Sequence, residues 1–360
     1  MNKKMKLGII GTGGIVRTAH VPAIRKLDQV NLVAICDINK QKVVRLAKEW
    51  GVEEVYDKYQ DIVNSKNVDA VLIASPNSYH KEHVVAAARA GKHVFCEKPI
   101  ATTIEDACEI VEVCAECEVK LQIGFVERFW NQVQITKELV DSGFVGKIKS
   151  YDSIYCVDDE DVDEIDTPFR NDFRICGGGC LMDAGIHQID MARYLMGEIR
   201  RVCAEVKHSV GGFGGQFEDN TLILCNFDNG AIGSISTNRF SPFMHKTFLY
   251  GSEGTIFLST HTFFQSSPLA VYSKKDVNDI PEQVLKYFYR VTANEKPSRR
   301  WISITPPIDD PYFIQLRSFC RSIIEDTLPP VTGHDGIKSL EIVLSAYNSS
   351  KERAWMEISE

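Results

Sequence analysis

Residues Lys6-Leu7-Gly8-Ile9-Ile10-Gly11-Thr12-Gly13-Gly14-Ile15-Val16 decide the fold. The apolar run 7–10 has strand length and breaks directly into G-x-G-x-x-V. In a strand–turn–helix unit the first glycine permits a tight turn, and the second lets an anion approach the backbone. The helix that follows offers free N–H groups and the positive end of its dipole. Val16 stands where glycine or alanine would complete the fingerprint, which is expected to loosen helix–strand packing without removing the phosphate contacts. The next apolar run, 32–36, ends at Asp37, 21 residues beyond Val16. An acid at that distance can accept hydrogen bonds from ribose hydroxyls and repels a 2′-phosphate, so the spacing favours NAD over NADP.

Three more apolar runs follow at 70–74, 93–96 and 120–123, with helical periodicity at 39–50, at 78–90 and through Ile104, Ala107, Cys108 and Val111. Short all-apolar strands alternating with helices predict a doubly wound parallel sheet, a Rossmann domain over residues 1–124. In such sheets ligands bind beyond the carboxyl ends of the strands. Two loops fall there, Ser75-Pro76-Asn77 with His80 close behind, and Glu97-Lys98-Pro99. The expected cofactor contacts are therefore Gly11, Gly13, Gly14, Ile15, Asp37, Ser75, Pro76, Asn77, His80, Glu97 and Lys98. The alternative for His80 is a polar residue at a helix start.

After Gly124 the pattern changes. A helix is expected over 129–142, stopped at Gly143, then a strand over 147–157. Residues 158–166 hold seven acids in nine, which reads as a solvated loop, with Arg170 and Arg174 shortly after. Were that run to lie at a pocket entrance, it would disfavour acidic substrates. Three glycines at 177–179 open a helix running to 197. Strands at 221–227 and 231–237 flank Asp228-Asn229-Gly230, a hairpin signal, and strands at 246–250 and 255–259 flank a second turn. Residues 261–310 carry no clear period. Two helices close the chain, marked by Phe313, Leu316, Cys320 and Ile323, then by Ile337, Leu340, Leu344 and Tyr347. Hairpins after a parallel sheet predict a second, α+β domain over 125–360, built on one open, mainly antiparallel sheet.

Composition narrows the function classes. The 360 residues carry 41 basic and 49 acidic side chains, a net charge of −8, which argues against nucleic acid or an anionic membrane as partner. No apolar stretch approaches the ~20 residues of a membrane helix, and the lysine-rich start reads as the first strand rather than a signal peptide. Eleven cysteines, an odd number lying in apolar runs and helices, suit reduced thiols in a cytoplasm. Cys114/Cys117 and Cys176/Cys180 lack the second pair or histidine spacing of a zinc site, so no metal is expected.

Several longer segments, in order along nearly the whole chain, resemble the glucose–fructose oxidoreductase / inositol dehydrogenase / rhizopine catabolism (Gfo/Idh/MocA) family. They are GIIGTGGIV, ASPNSYHKEHVVAAARAGKHVFCEKP, GFVERF, GGGCLMDAGIHQIDMARYLMG and GSEGT. The resemblance implies a nicotinamide-dependent oxidoreductase acting on a small sugar, sugar derivative, polyol or inositol, assembled as a homodimer or homotetramer through the open sheet. It implies Lys98, Asp183 and His187 as catalytic residues, a Pro99 that is often cis, and Arg128 in the substrate pocket. The family commonly has proline where this chain has Asn131. Chemically, His187 can exchange a proton near neutral pH, Lys98 can stabilise developing charge on an oxygen, and Asp183, four residues before His187, can hold the imidazole or bind a substrate hydroxyl. An N-capping Asp183 and a packed His187 are the bland alternatives. The resemblance also leaves room for a glycoside hydrolase that uses bound NAD transiently, or a non-catalytic sensor.

Overall fold

A computed structural model describes residues 4–158, 172–209, 217–260, 268–285 and 299–359. Most of the acidic run, 159–166, lies outside the described residues, as does Arg170. The described chain divides into two compact units.

The first unit comprises Met1–Val126, the described part of Asp163–Gly177, and Tyr312–Leu340. Its sheet has six parallel strands: β1 Met5–Ile10, β2 Val30–Cys36, β3 Glu54–Tyr56, β4 Ala70–Ile73, β5 His93–Cys96 and β6 Leu121–Ile123. Their spatial order is β3-β2-β1-β4-β5-β6, so the chain reverses direction of winding between β1 and β4 and opens a crevice at their carboxyl ends. Strand β4 is buried along its whole length, as a strand covered on both faces must be. Strand β3 has no such apolar signature; its three residues, Glu54, Val55 and Tyr56, are only half-buried at the sheet edge.

Val16 packs fully buried in the core with Leu7, Ile9 and Phe95. Valine therefore fills the helix–strand contact where loosening was expected. Leu316, Phe319 and Cys320, from the helix Pro311–Ile324, join the same core. A division at 124/125 misses this return, because an amphipathic C-terminal helix reads alike whichever body receives it.

The second unit comprises the described parts of Glu127–Val162 and Gly178–Pro311, with Glu341–Glu360. Its sheet adds β7 Ile148–Asp158, β8 Ile199–Lys207, β9 Asn220–Phe227, β10 Ile232–Asn238, β11 Phe240–Gly251, β12 Gly254–Ser259, β13 Leu269–Ser273, β14 Arg300–Ile304 and β15 Met356–Glu357. The order is β14-β13-β12-β11-β7-β10-β9-β8-β15. Only β7 and β10 pair in parallel; the other described pairs are antiparallel. The β9–β10 hairpin turns at Asp228-Asn229-Gly230 as its sequence predicts, with Gly230 at φ +84°.

The helices Asn131–Asp141 and Ile186–Met196 pack on one face, against β12 and β7. The other face leaves Leu222, Leu224, Ile232, Tyr250 and Trp301 exposed. Across it Phe248 and Tyr250 stack at 5.8 Å, and Phe248 meets Phe257 at 5.0 Å. Among the described residues, no helix is long and apolar enough to cross a membrane.

Candidate active site

In the first unit a cavity of about 1270 Å³ opens at the carboxyl ends of β1, β2 and β4, lined by Gly11, Thr12, Gly13, Asp37, Ser75 and Pro76 among others. Gly11 has φ +91°, and a Cβ there would lie 2.5 Å from the Ala74 carbonyl oxygen, so only glycine makes this turn. Gly13 and Gly14 differ: a Cβ on either would meet no atom within 4 Å. The protein's own packing does not require those two glycines, whereas close approach of a phosphate would. Ile15 beside them is 38% exposed.

Asp37 directly follows β2 and lines the cavity. Its Oδ2 accepts from the Thr12 backbone N–H at 3.0 Å and the Thr12 hydroxyl at 2.6 Å, its Oδ1 accepts from the Asn39 N–H at 2.9 Å, and the Lys42 ammonium lies 3.7 Å away. These contacts fix the carboxylate at the rim. Ile38, the next residue, is an apolar side chain 94% exposed on the cavity wall. The glycine cradle, the oriented carboxylate and the cavity's size fit a dinucleotide.

Of the other expected contacts, Ser75 and Pro76 line the cavity, but Gly14, Ile15, Asn77, His80, Glu97 and Lys98 are not among the lining residues. The Asn77 amide donates to the Cys176 carbonyl at 2.7 Å. His80 is 1% exposed, and its ring nitrogens face backbone carbonyls. Glu97 is also buried; its Oε1 sits 2.6 Å from His20 Nε2, and Oε2 accepts from the Lys98 N–H at 3.2 Å. Burial alone would raise the Glu97 carboxyl, but the hydrogen bond and charge of His20, with Lys98 adjacent, outweigh it and lower its pKa. Gly124 leaves the space, since a Cβ there would fall 2.8 Å from Glu97 Oε2. The Lys98–Pro99 peptide is cis, as the resemblance implied. Sequence reading missed Thr12, Lys42, Arg45, Tyr59, Tyr79 and His83, all on the cavity wall, because nothing in their local pattern marks them. Burial pushes the Cys36 thiol there and the Cys114 thiol up to about 12, so both behave as packing groups.

In the second unit, the glycine run leads into a π-turn, Leu181–Gly185, continued by the helix Ile186–Met196. Every residue from Gly178 to Arg193 is buried except Asp183 and His187. The glycines are needed by the chain itself. A Cβ on Gly178 would lie 2.9 Å from Met182 Cβ, and one on Gly179 would lie 2.8 Å from Glu218 Oε2. Glu218 accepts from the Gly179 N–H at 2.9 Å, the Leu181 N–H at 3.1 Å and the Tyr347 hydroxyl at 2.6 Å, closing the helix start. Burial nonetheless raises the Glu218 carboxyl against these bonds.

Asp183 forms an ion pair with Arg239, a buried residue between β10 and β11 that the sequence did not single out. Arg128 is 7% exposed; its Nε and Nη2 donate to Asp190 at 2.8 and 2.6 Å, and its guanidinium lies over the Tyr194 ring. Asn131 begins the helix Asn131–Asp141, a first-turn position that also accommodates proline, and donates to the Pro307 carbonyl and to Asp309.

A Rossmann sheet with a dinucleotide-shaped crevice, joined in one chain to an open mixed sheet, defines a nicotinamide-binding oxidoreductase. Residues 5–125 match the model of the Gfo/Idh/MocA oxidoreductase family with its NAD-binding Rossmann fold, and residues 133–257 match that family's C-terminal domain. The chain belongs to this family. It is 29% identical to myo-inositol 2-dehydrogenase of Thermotoga maritima over 99% of both chains. It is 26% identical to the NAD(+)-dependent scyllo-inositol 2-dehydrogenase of Bacillus subtilis, over 97% of this chain and 95% of that one. A levoglucosan dehydrogenase solved with NADH and levoglucosan shares the fold with a TM-score of 0.86 at 23% identity, over 99% of this chain and all of the other.

Proposed function

We propose that this chain is an NAD-dependent dehydrogenase that interconverts a secondary hydroxyl and a ketone on a cyclic polyol or sugar derivative. When bound, the nicotinamide supplies hydride transfer. The chain's own residues supply the rest. The His187 imidazole takes the hydroxyl proton, the Lys98 ammonium holds the reacting oxygen as charge develops on it, and the Asp183 carboxylate accepts a hydrogen bond from a neighbouring substrate hydroxyl. The ion pair with Arg239 supports this last role, because the guanidinium fixes the carboxylate beside the half-buried face of the helix start. The observation that carries the reading is the solvent access of Asp183 and His187 alone within an otherwise buried segment. A helix built only for packing would have no reason to spare those two.

Asp37 at the cavity rim supports NAD over NADP, by repelling a 2′-phosphate. The open sheet face, with its exposed leucines and stacked aromatic rings, supports assembly into a dimer or tetramer.

The test is reduced-nicotinamide absorbance during turnover with NAD and a panel of inositols, glucosides and anhydrosugars. Lys98→Ala should abolish turnover and leave NAD affinity nearly unchanged. Turnover equal to wild type would refute the role given to Lys98. Sugar release without net change in the nicotinamide would instead identify a glycoside hydrolase.

A further inference from the structure

His80 opens the helix His80–Arg89, and its ring is held between two loops. Nε2 lies 2.8 Å from the Ser75 carbonyl oxygen, and Nδ1 lies 2.8 Å from the Pro99 carbonyl oxygen. Ser75 lines the cofactor cavity, and Pro99 directly follows Lys98. One imidazole thus spans the distance from the cavity wall to the turn that carries the proposed catalytic lysine. A second histidine one turn along, His83, reinforces the wall: its Nδ1 lies 2.9 Å from the Ser75 hydroxyl.

Both neighbours of the His80 ring are acceptors. A neutral imidazole carries one N–H and serves one carbonyl at a time; only the imidazolium serves both. Burial lowers the pKa of this ring, while the two carbonyls and Glu97 act in the other direction and Lys98 adds to the lowering. His83 is a further titratable neighbour. In either protonation state the ring's two nitrogens point at fixed backbone atoms, one of them donating when the ring is neutral and both when it is charged.

We infer that His80 is a positioning residue, which sets the Lys98 turn relative to the cofactor cavity by wedging its ring between the Pro99 and Ser75 carbonyls and donating to at least one of them, without itself touching cofactor or substrate. The inference rests on the reading of Lys98 as catalytic. It replaces the expectation that His80 contacts the cofactor.

The experiment compares wild type, His80→Phe, which keeps the ring's bulk and loses both nitrogens, and His80→Gln, which can reach one carbonyl. Three quantities are read: NAD affinity by titration; kcat and KM on the substrate panel; and the rate of Lys98 acylation by acetic anhydride, followed by mass spectrometry with and without NAD. Lys92, whose ammonium is fixed on the Ser65 and Val68 carbonyls, is the internal control for acylation. Displacing a catalytic group by about 1 Å costs on the order of a hundredfold in rate. The expected result for His80→Phe is therefore a kcat loss of roughly that size, with KM and NAD affinity changed less than about threefold. Lys98 acylation should change severalfold and Lys92 acylation not at all, and His80→Gln should lie between the two.

Equal kcat and equal Lys98 labelling in His80→Phe would overturn the inference. A loss of NAD affinity matching the loss of kcat would also overturn it, by making His80 a cofactor contact. If His80→Phe does not fold, His80→Gln decides by the same two readouts. If wild type turns over no member of the panel, the proposed function fails, and Lys98 labelling alone still decides whether His80 positions that turn.

Discussion

His83 lines the cofactor cavity, half-buried between the rings of Tyr59 at 4.6 Å and Tyr79 at 6.1 Å. Burial, helped by the neighbouring His80, pushes its imidazole from the usual 6.5 down to about 4, against the opposing charge of Glu82. The folded chain thus resists a proton that the unfolded chain accepts. Between pH 6.5 and pH 4 the unfolded state binds more protons at this site, so stability rises with pH across that window. The contribution is complete above 6.5 and is lost as pH falls toward 4. At about 1.4 kcal/mol per pH unit, the gap amounts to about 3 kcal/mol at most.

The perturbation is His83→Gln, which can still reach the Ser75 hydroxyl but does not titrate. Wild type should lose roughly 2–3 kcal/mol more than the variant between pH 7 and pH 4.5, measured by urea denaturation at both values. The direct check is a proton NMR titration of the nine histidines, with His83 assigned as the resonance missing from the variant. A His83 resonance titrating with a midpoint between 6 and 7 would refute the reasoning, as would parallel pH dependence of the two proteins. Protonation also puts an N–H on Nδ1 beside the Ser75 hydroxyl on the cavity wall, so NAD affinity should vary with pH across the same acid window in wild type more steeply than in the variant.

Three further outcomes follow from the geometry. Asp37→Ser should weaken NAD binding by roughly ten- to a hundredfold, the worth of one or two charge-assisted hydrogen bonds, and should strengthen NADP binding, because Lys42 and Arg45 already line the cavity; cofactor titrations check both directions. Gly11→Ala, with its Cβ forced to 2.5 Å from the Ala74 carbonyl oxygen at a positive φ, should destabilise the chain by on the order of 3 kcal/mol and abolish NAD binding, read by thermal melting and titration. Leu224→Glu places a charge on the open sheet face and should shift the sedimentation profile to a smaller species without lowering NAD affinity.

What the sequence disclosed depended on the range of the signal. Strands β1, β2, β4, β5 and β6 are apolar runs, and the Asp228-Asn229-Gly230 hairpin is a local turn, so both were legible. Strand β3 was not, because an edge strand of three half-buried residues carries no hydrophobic period. Glu218 closes the helix start from 39 residues downstream, and Arg239 reaches Asp183 across 56 residues. No spacing rule anticipates either. His80 illustrates a third case: its position along the chain was visible, but the direction of its ring was set by two carbonyls, and a carbonyl leaves no mark on residue identity.

The two glycine-rich segments, alike on paper, do opposite work. At 11–14 the first glycine makes the turn and the next two face open space, so the missing side chains leave room for something the chain does not contain. At 178–179 the missing side chains are replaced by the chain's own Met182 and Glu218, and the backbone N–H groups that might have held an anion are already bound to the Glu218 carboxylate. The second segment therefore cannot be another phosphate site. Its function is to bury a helix start so completely that Asp183 and His187 remain its only wet positions. Arg239 then holds one of those two in place through its ion pair with the Asp183 carboxylate, an acceptor suited to a substrate hydroxyl in the proposed reaction. In the function we propose, proton transfer falls to His187, and selectivity among hydroxyl patterns falls to the Asp183–Arg239 pair.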